Sequence, residues 1–323
     1  MKISIIMPVY NAAAVVGKAL ASIEAQTFTD FELICVDDSS TDGSGDKLRE
    51  YAQGAKFPVK VLAHEVNQGA AAARNTAIDV AEGEYLAFID ADDSMAPETL
   101  EISVAAAEDG ADIVGWDWYL SMSRDERYMR QADYSTPLEA LKNIMSGVMR
   151  WNLWMFLSRR SLWDDNGIRF IPGMDMGEDM MAMNKLFCCA GKVAQVHKAL
   201  YHYNAVSTSS ISRQFSESNR AQVSANVSEV ERYVSASRYA DELAGYVDFL
   251  KLKIKLPMLV SGSRKDYLIW RGWYAETNGR VMKNKAQPLR TRLLQLAARL
   301  RLWPLVWGYY VLVEKVIYGL IYR

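Results

Sequence analysis

Apolar runs of strand length alternate with segments of helical periodicity through the first 95 residues of the chain. Short polar links join these segments. Strand–helix–strand order with short links is typical of a parallel sheet covered by helices on both faces, so the sequence predicts an α/β fold. The predicted strands are Lys2–Val9, Phe31–Val36, Val59–Ala63 and Tyr85–Ile89, and the predicted helices are Val15–Ala25, Ser44–Gln53 and Ala70–Ala81.

Polar side chains collect where these predicted strands end, or at the start of the helix that follows. In a sheet of this kind the ligand lies beyond the carboxyl ends of the strands. The sequence therefore predicts a binding site built from four short segments. These segments are Tyr10-Asn11, Asp37-Asp38, Asn67–Gly69 and Asp90–Asp93.

Three carboxylates, those of Asp90, Asp92 and Asp93, follow the predicted strand Tyr85–Ile89 directly. Like charges crowded in this way repel one another unless a cation lies among them. Oxygen ligands select Mg²⁺ or Mn²⁺, which typically bridge protein carboxylates and substrate phosphates. The alternative is a solvated turn whose aspartates cap the helix that begins near Pro97.

A second acidic segment, Asp37–Asp42, follows the second predicted strand. The Asp38 carboxylate could accept a hydrogen bond from a nucleotide base, and the N3–H of uracil is such a donor. Capping of the next helix is the alternative for this segment. We expect His64, in a predicted loop, to be solvated.

Taken in order, these segments resemble the motifs of the family-2 glycosyltransferases, which have the GT-A fold. The ordered set carries the resemblance over residues 1–95, because no single motif would suffice. It continues more loosely to about residue 210, through Gly177-Glu178-Asp179 and Tyr201-His202-Tyr203. The matching segments are Ile5–Asn11, Ser22–Thr27, Asp37–Asp42, Asn67–Gly69 with Arg74-Asn75, and Asp90–Asp93.

The resemblance implies roles for residues of the predicted site. Asp38 reads uracil, and Arg74 lies near the diphosphate with Asp90 and Asp92. Asp92 and Asp93 bind the cofactor, Mn²⁺ or Mg²⁺. The nucleotide pocket is lined by Pro8, Val9, Tyr10, Asn11, Asn67 and Gly69.

The resemblance further implies that Asp179 is the general base. The family inverts configuration at the anomeric carbon, so a single displacement requires one base to deprotonate the acceptor hydroxyl. By spacing alone, Glu178 and Asp179 open a predicted helix, where acids are the ordinary complement of the helix dipole. The implied reaction moves a sugar from a nucleotide donor to a glycan or lipid-linked glycan of the bacterial polysaccharide type, and we expect the donor to be UDP-linked.

The chain is predicted to divide at residue 215. Residues 1–110 form the donor half of the transferase domain and residues 111–215 the acceptor half, followed by a helical region over 216–323. Trp151 and Trp154 are predicted to face the acceptor, since aromatic rings stack on sugars. The hydroxyl-rich segment Ser207–Ser212, followed by Arg213, is predicted to be either a lid over the diphosphate or a plain polar loop.

The tail, residues 289–323, combines leucines on one helical face with basic residues. Residues 280–323 contain nine Lys or Arg and one acidic residue. The apolar run 302–313 is shorter than the roughly 20 residues that span a bilayer. A basic, aromatic amphipathic segment suits the membrane surface. Packing against its own domain and an oligomer contact are the alternatives.

Composition excludes several classes of protein and partner. Residues 1–110 contain 19 acidic and 7 basic residues, which disfavours a nucleic-acid surface. Three cysteines, Cys188 and Cys189 adjacent, do not form a disulfide framework and favour a reducing compartment. The start of the chain lacks the layout of a signal peptide. We therefore expect a cytoplasmic protein, peripheral to the inner face of the membrane if the tail binds lipid.

Two rival functions stay open at this point. A nucleotidyltransferase also uses an acidic metal site on an α/β sheet, although Pro8–Ala12 does not resemble its Gly-rich basic loop. A nicotinamide dehydrogenase is not one of these two rivals, because no G-x-G-x-x-G follows the first strand. A transferase fold that has lost catalysis and binds glycans or partners is the non-enzymatic rival.

Overall fold

A computed structural model describes residues 1–122, 125–205 and 216–317 of the chain. The predicted lid segment, Ser207–Ser212 with Arg213, lies outside these residues. The described residues form a mixed α/β structure in which the alternation of the first 95 residues is confirmed.

All strands of the described residues belong to one sheet, in the order β3-β2-β1-β4-β8-β6-β9-β5, with β7 paired to β6. The predicted strands are confirmed to within one residue at either end. The strands are β1 Ile3–Val9, β2 Phe31–Asp37, β3 Val59–Ala63, β4 Tyr85–Phe88, β5 Ser94–Met95, β6 Ile113–Ser121, β7 Glu126–Met129, β8 Phe156–Arg159 and β9 Val193–Asn204.

The strand β1 lies between β2 and β4 and runs parallel to both. A strand that is covered by helices on both faces is a continuous apolar run rather than an alternating one. This explains why β1 and β2 are buried almost throughout. Because β1, β2, β3 and β4 are parallel, their carboxyl ends lie at the same edge of the sheet, with Val9 opposite Asp37 and Asp37 opposite Ala63.

Helices connect and cover these strands, and further helices follow β9. Pro304 lies in the first turn of the helix that begins at Trp303, where a missing N–H is tolerated. The helices are α1 Val16–Glu24, α2 Ser44–Gly54, α3 Ala70–Asp79, α4 Thr99–Ala107, α5 Pro137–Ser146, α6 Arg160–Asp165, α7 Glu178–Cys189, α8 Glu217–Ser235, α9 Tyr246–Lys255, α10 Arg264–Gly272, α11 Leu289–Arg299 and α12 Trp303–Tyr310.

The chain forms two compact units, 1–139 with 151–238, and 140–150 with the chain from 239 onward. These units differ from a division at residue 215. The helix α8 belongs to the first unit because its Asn226 side chain donates hydrogen bonds to the carbonyls of Met174 (3.1 Å) and Met176 (2.9 Å), in the segment before α7. Among the described residues, every helix is too short or too polar to cross a bilayer.

Candidate active site

The buried guanidinium of Arg74 joins three carboxylates that come from distant parts of the sequence. Arg74, on α3, is 6% exposed. Its Nη1 lies 2.8 Å from Glu178 Oε1 and 3.5 Å from Asp179 Oδ1, and its Nη2 lies 3.3 Å from Asp90 Oδ1. Three predicted site residues, Arg74, Asp90 and Asp179, are therefore brought together at the carboxyl edge of the sheet.

The cluster contains more acidic groups than basic ones, and this changes their proton affinities. Burial, together with the charge of Asp179, raises the pKa of Glu178 to about 8. Burial opposes the charge on Arg74, yet the carboxylates of Asp179, Glu178 and Asp90 hold its pKa above the ordinary value. Arg74 is thus a permanent cation among carboxylates that compete for it.

Asp179 lies in the first turn of α7, after Gly177 has turned the chain with a φ of 84°. Its Oδ2 accepts a hydrogen bond from the backbone N–H of Leu153 at 3.3 Å. Its Oδ1 is buried and, within the described residues, has no hydrogen-bond partner, although it faces Arg74. One oxygen is oriented by Leu153 and the other faces a cation, and the side chain as a whole is 16% exposed, so this carboxylate is held in place and can be reached by an acceptor, as a general base must be.

Asp93 is held by two donors from the end of β9. Its Oδ2 accepts the hydroxyl hydrogen of Tyr201 at 2.8 Å and its Oδ1 accepts the N–H of Asn204 at 2.7 Å. The Tyr201 oxygen also accepts the N–H of Asp90 at 3.1 Å. Burial raises the pKa of Asp93, which is 1% exposed, to about 8. In this structure Asp93 therefore links the segment Asp90–Asp93 to β9 through hydrogen bonds.

Asp90 and Asp92 fit a divalent cation better than Asp93 does, because their side chains are partly exposed. Within residues 1–122, 125–205 and 216–317, no three His, Cys, Asp or Glu side chains are gathered as a metal site. Mg²⁺ and Mn²⁺ commonly bind through one or two carboxylates together with substrate phosphates and water. Asp90, which is paired with Arg74, and Asp92 are therefore two carboxylates that such an ion can use when a diphosphate is bound.

Asp38 lies buried at the end of β2 and organises the loop before α3. Its carboxylate accepts the N–H groups of Gln68 (2.9 Å) and Gly69 (2.7 Å), and His64 Nδ1 lies 2.6 Å from Oδ1. The side-chain amide of Asn67 donates to the Asp38 carbonyl at 3.3 Å. The expectation that His64 is solvated is wrong, because its other ring nitrogen contacts Thr76 and the ring is enclosed.

The remaining predicted pocket residues surround this loop in different ways. Tyr10 is 53% exposed. Asn11 has a φ of 47°, and its side-chain oxygen accepts the N–H of Thr41 at 2.9 Å. Pro8 and Val9 are part of β1, where the Val9 carbonyl accepts the N–H of Asp38 at 2.8 Å. Val9 therefore positions Asp38 through its backbone rather than its side chain.

Asp175 also belongs to the site, although no motif in the sequence points to it. Its Oδ1 accepts the N–H of Ala71 at 2.8 Å and thereby caps α3. Gly69 has a φ of 90°, and a Cβ at that position would lie 2.1 Å from Asp175 Oδ2. Glycine is required at position 69 both by its backbone conformation and by the approach of Asp175.

An aromatic stack supports Tyr201 from the side. The Trp154 ring lies parallel to that of Tyr201, with centroids 4.4 Å apart, and to that of Tyr203, 5.6 Å apart. Trp154 is 4% exposed, so its ring packs in the interior, whereas Trp151 is partly exposed. Since the turn Leu153–Met155 also supplies the N–H that holds Asp179, it links the base to the acidic segment.

Comparison with known proteins decides the family. The model of glycosyl transferase family 2 matches residues 4–187. The chain belongs to this family. The uncharacterized glycosyltransferase YibD of Escherichia coli K12 is 31% identical over 269 residues, which cover 77% of this chain and 75% of YibD. The chain is therefore a glycosyltransferase, and the family assignment sets aside the nucleotidyltransferase alternative.

Two further comparisons concern a solved structure and a second named relative. S. aureus TarS 1-349, solved in complex with UDP-GlcNAc, aligns with a TM-score of 0.73 at 21% identity over 96% of this chain and 91% of TarS. This likeness confirms the predicted GT-A fold with C-terminal helices. The E. coli UDP-Glc:α-D-GlcNAc-diphosphoundecaprenol β-1,3-glucosyltransferase WfgD is 38% identical over 103 residues, 32% of this chain and 40% of WfgD.

Proposed function

We propose that this glycosyltransferase moves a sugar from a UDP-sugar to a hydroxyl of a glycan or lipid-linked glycan, with inversion at the anomeric carbon. The observation that carries the proposal is the convergence of Asp179, Arg74 and Asp90 from α7, α3 and the end of β4. A proton acceptor thus lies beside a guanidinium and a carboxylate suited to metal. A departing diphosphate and an attacking hydroxyl need these groups together.

Two relatives support a uridine donor, since TarS was solved with UDP-GlcNAc and WfgD is named for UDP-Glc. In this chain we assign the reading of uracil to Asp38. A carboxylate offers about four lone-pair positions, and three are directed at Gln68, Gly69 and His64. The fourth would accept the N3–H of uracil. Pro8, Val9, Tyr10, Asn11, Asn67 and Gly69 would line the nucleotide pocket.

The transfer step follows from the position of the Asp179 carboxylate. The acceptor hydroxyl gives its proton to this carboxylate while its oxygen bonds to the anomeric carbon and the bond from that carbon to the diphosphate oxygen breaks. The Leu153 N–H keeps the carboxylate oriented through Oδ2. Arg74 stabilises negative charge on the leaving UDP. Mn²⁺ or Mg²⁺, held by Asp90 and Asp92 with Asp93 anchoring their segment, would neutralise further charge on that group.

The name of WfgD specifies an acceptor on diphosphoundecaprenol. We propose an acceptor of the same class, a glycan on a lipid diphosphate, for this chain. The protein would then work in the cytoplasm, peripherally at the inner face of the membrane.

The test measures UDP release from a panel of UDP-sugars, with water or a lipid-linked glycan as acceptor. Asp179→Asn should lower turnover by roughly 10²–10⁴-fold and leave UDP affinity unchanged. Asp165→Asn, on an exposed carboxylate of α6, is the matched control and should keep full turnover. Full turnover in Asp179→Asn would remove the base assignment. Tight UDP binding without turnover of any UDP-sugar would favour the non-catalytic scaffold.

A further inference from the structure

The helix α11 and the residue that follows it expose three leucines of one helical face to solvent. Leu289, Leu293 and Leu300, which lie on one face, are 56%, 49% and 57% exposed. The buried residues of α11 include Leu294 and Ala298. A surface helix normally turns its apolar stripe inward, so this orientation leaves an apolar surface without cover among the described residues.

More exposed apolar side chains follow in α12 and in the turn after it. They are large, and aliphatic residues and tryptophan are the types that enter the acyl region and the headgroup boundary of a bilayer. We call the whole set the tail surface. It consists of Leu289, Leu293, Leu300, Leu302 (42% exposed), Leu305 (61%), Trp307 (50%) and Leu312 (58%).

Charge indicates what covers the tail surface. Residues 281–313 contain six basic residues and no acidic residue. Five of these, Lys283, Lys285, Arg290, Arg299 and Arg301, are exposed. Two copies of such a surface would repel each other, whereas anionic lipid headgroups would attract it, each nearby basic residue improving binding about fivefold.

We infer that the tail surface docks on an anionic phospholipid bilayer, with the leucines and Trp307 in the interface and the basic side chains among the lipid phosphates. The helices α11 and α12 are short and would lie on the membrane rather than span it. This inference goes beyond the transfer reaction. Vesicle binding requires neither donor nor acceptor, so it can fail while UDP release persists, and the reverse also holds.

The test is co-sedimentation of the full chain with vesicles of phosphatidylcholine alone and with phosphatidylglycerol added. We expect binding to the anionic vesicles that weakens as salt is raised. Leu305→Gln should weaken binding by about tenfold, from the lost apolar contact. Arg299→Glu with Arg301→Glu should weaken it by more than about 25-fold, because two attractive contacts become repulsive.

Matched controls use exposed residues of the first unit. Val80→Gln and Lys56→Glu repeat the same kinds of change away from the tail surface and should bind as the unaltered chain does. Absence of binding to anionic vesicles would overturn the inference. So would equal binding by Leu305→Gln, or a dimer in light scattering that Leu305→Gln dissociates, because the second copy would then be the occupant.

Discussion

Replacement of Arg74 by methionine tests the central cluster most severely, because it removes the cation and keeps an apolar stem. Arg74 is 6% exposed and faces carboxylates at 2.8, 3.3 and 3.5 Å. Breaking a buried ion pair by removing one partner costs about 3–5 kcal/mol, since the remaining charge is left uncompensated. We expect the free energy of unfolding of Arg74→Met to fall by that amount.

The assay is urea denaturation followed by circular dichroism, with Arg49→Met as the matched control. Arg49 pairs with Asp46 at 2.7 Å, but the two side chains are 55% and 84% exposed. An exposed pair contributes less than about 1 kcal/mol, so the control should barely change. Arg74→Lys keeps the positive charge but lacks the forked guanidinium that reaches several carboxylates. Its loss in free energy of unfolding should therefore lie between those of Arg74→Met and Arg49→Met. Equal losses in Arg74→Met and Arg49→Met would refute the reasoning.

Three other changes have outcomes that follow from the same contacts. Tyr201→Phe removes a donor to buried Asp93 and should cost about 1–3 kcal/mol while weakening Mn²⁺-dependent UDP binding. Gly69→Ala places a Cβ against Asp175 at positive φ and should cost about 1–3 kcal/mol and lower UDP affinity. The pKa of the Glu178 carboxyl is about 8 in the folded protein and 4.5 ordinarily. Between these pH values the folded state holds a proton that the unfolded state has released, so the free energy of unfolding should fall by about 1.4 kcal/mol per pH unit as the pH rises. Glu178→Gln should remove this slope.

Calorimetry and denaturation over a pH series distinguish these outcomes from general damage. Tyr51→Phe loses a partly buried hydroxyl that donates to the Leu20 carbonyl and not to Asp93, so this variant should leave Mn²⁺-dependent UDP binding intact. Gly17→Ala, where a Cβ meets nothing within 4 Å, should be tolerated. Unchanged UDP affinity in Gly69→Ala, or an unchanged pH slope in Glu178→Gln, would contradict the assigned contacts.

The strands were predictable because a strand that is buried on both faces is a continuous run of apolar residues. The run Val59–Ala63 has the same bounds in the prediction and in the structure. The ordered polar segments identified the edge of the sheet where Asp90 and Asp179 meet. Arg74, which pairs with both of these carboxylates, is predicted only through the family resemblance. The spacing of residues in the sequence does not indicate which carboxylates it contacts.

Contacts between distant segments could not be predicted, because local pattern does not encode them. Asp175 is 104 residues from Ala71, and Tyr201 is 108 residues from Asp93. Asp175 lies in a methionine-rich loop and carries no motif of its own, and although Tyr201 belongs to the matched segment Tyr201–Tyr203, nothing in that segment indicates that its hydroxyl donates to Asp93. For α11, periodicity identified the leucine face but not its direction, because the direction depends on what the opposite face packs against.

The most direct measurement of the proposed donor site is calorimetric titration of UDP, GDP and dTDP into the protein, with and without Mn²⁺. We expect UDP to bind in preference to the others, with Mn²⁺ strengthening binding and Asp92→Asn abolishing that gain while Asp165→Asn keeps it. Preference for another nucleotide would contradict the role of Asp38. Failure of every nucleotide to bind would contradict the proposed function itself.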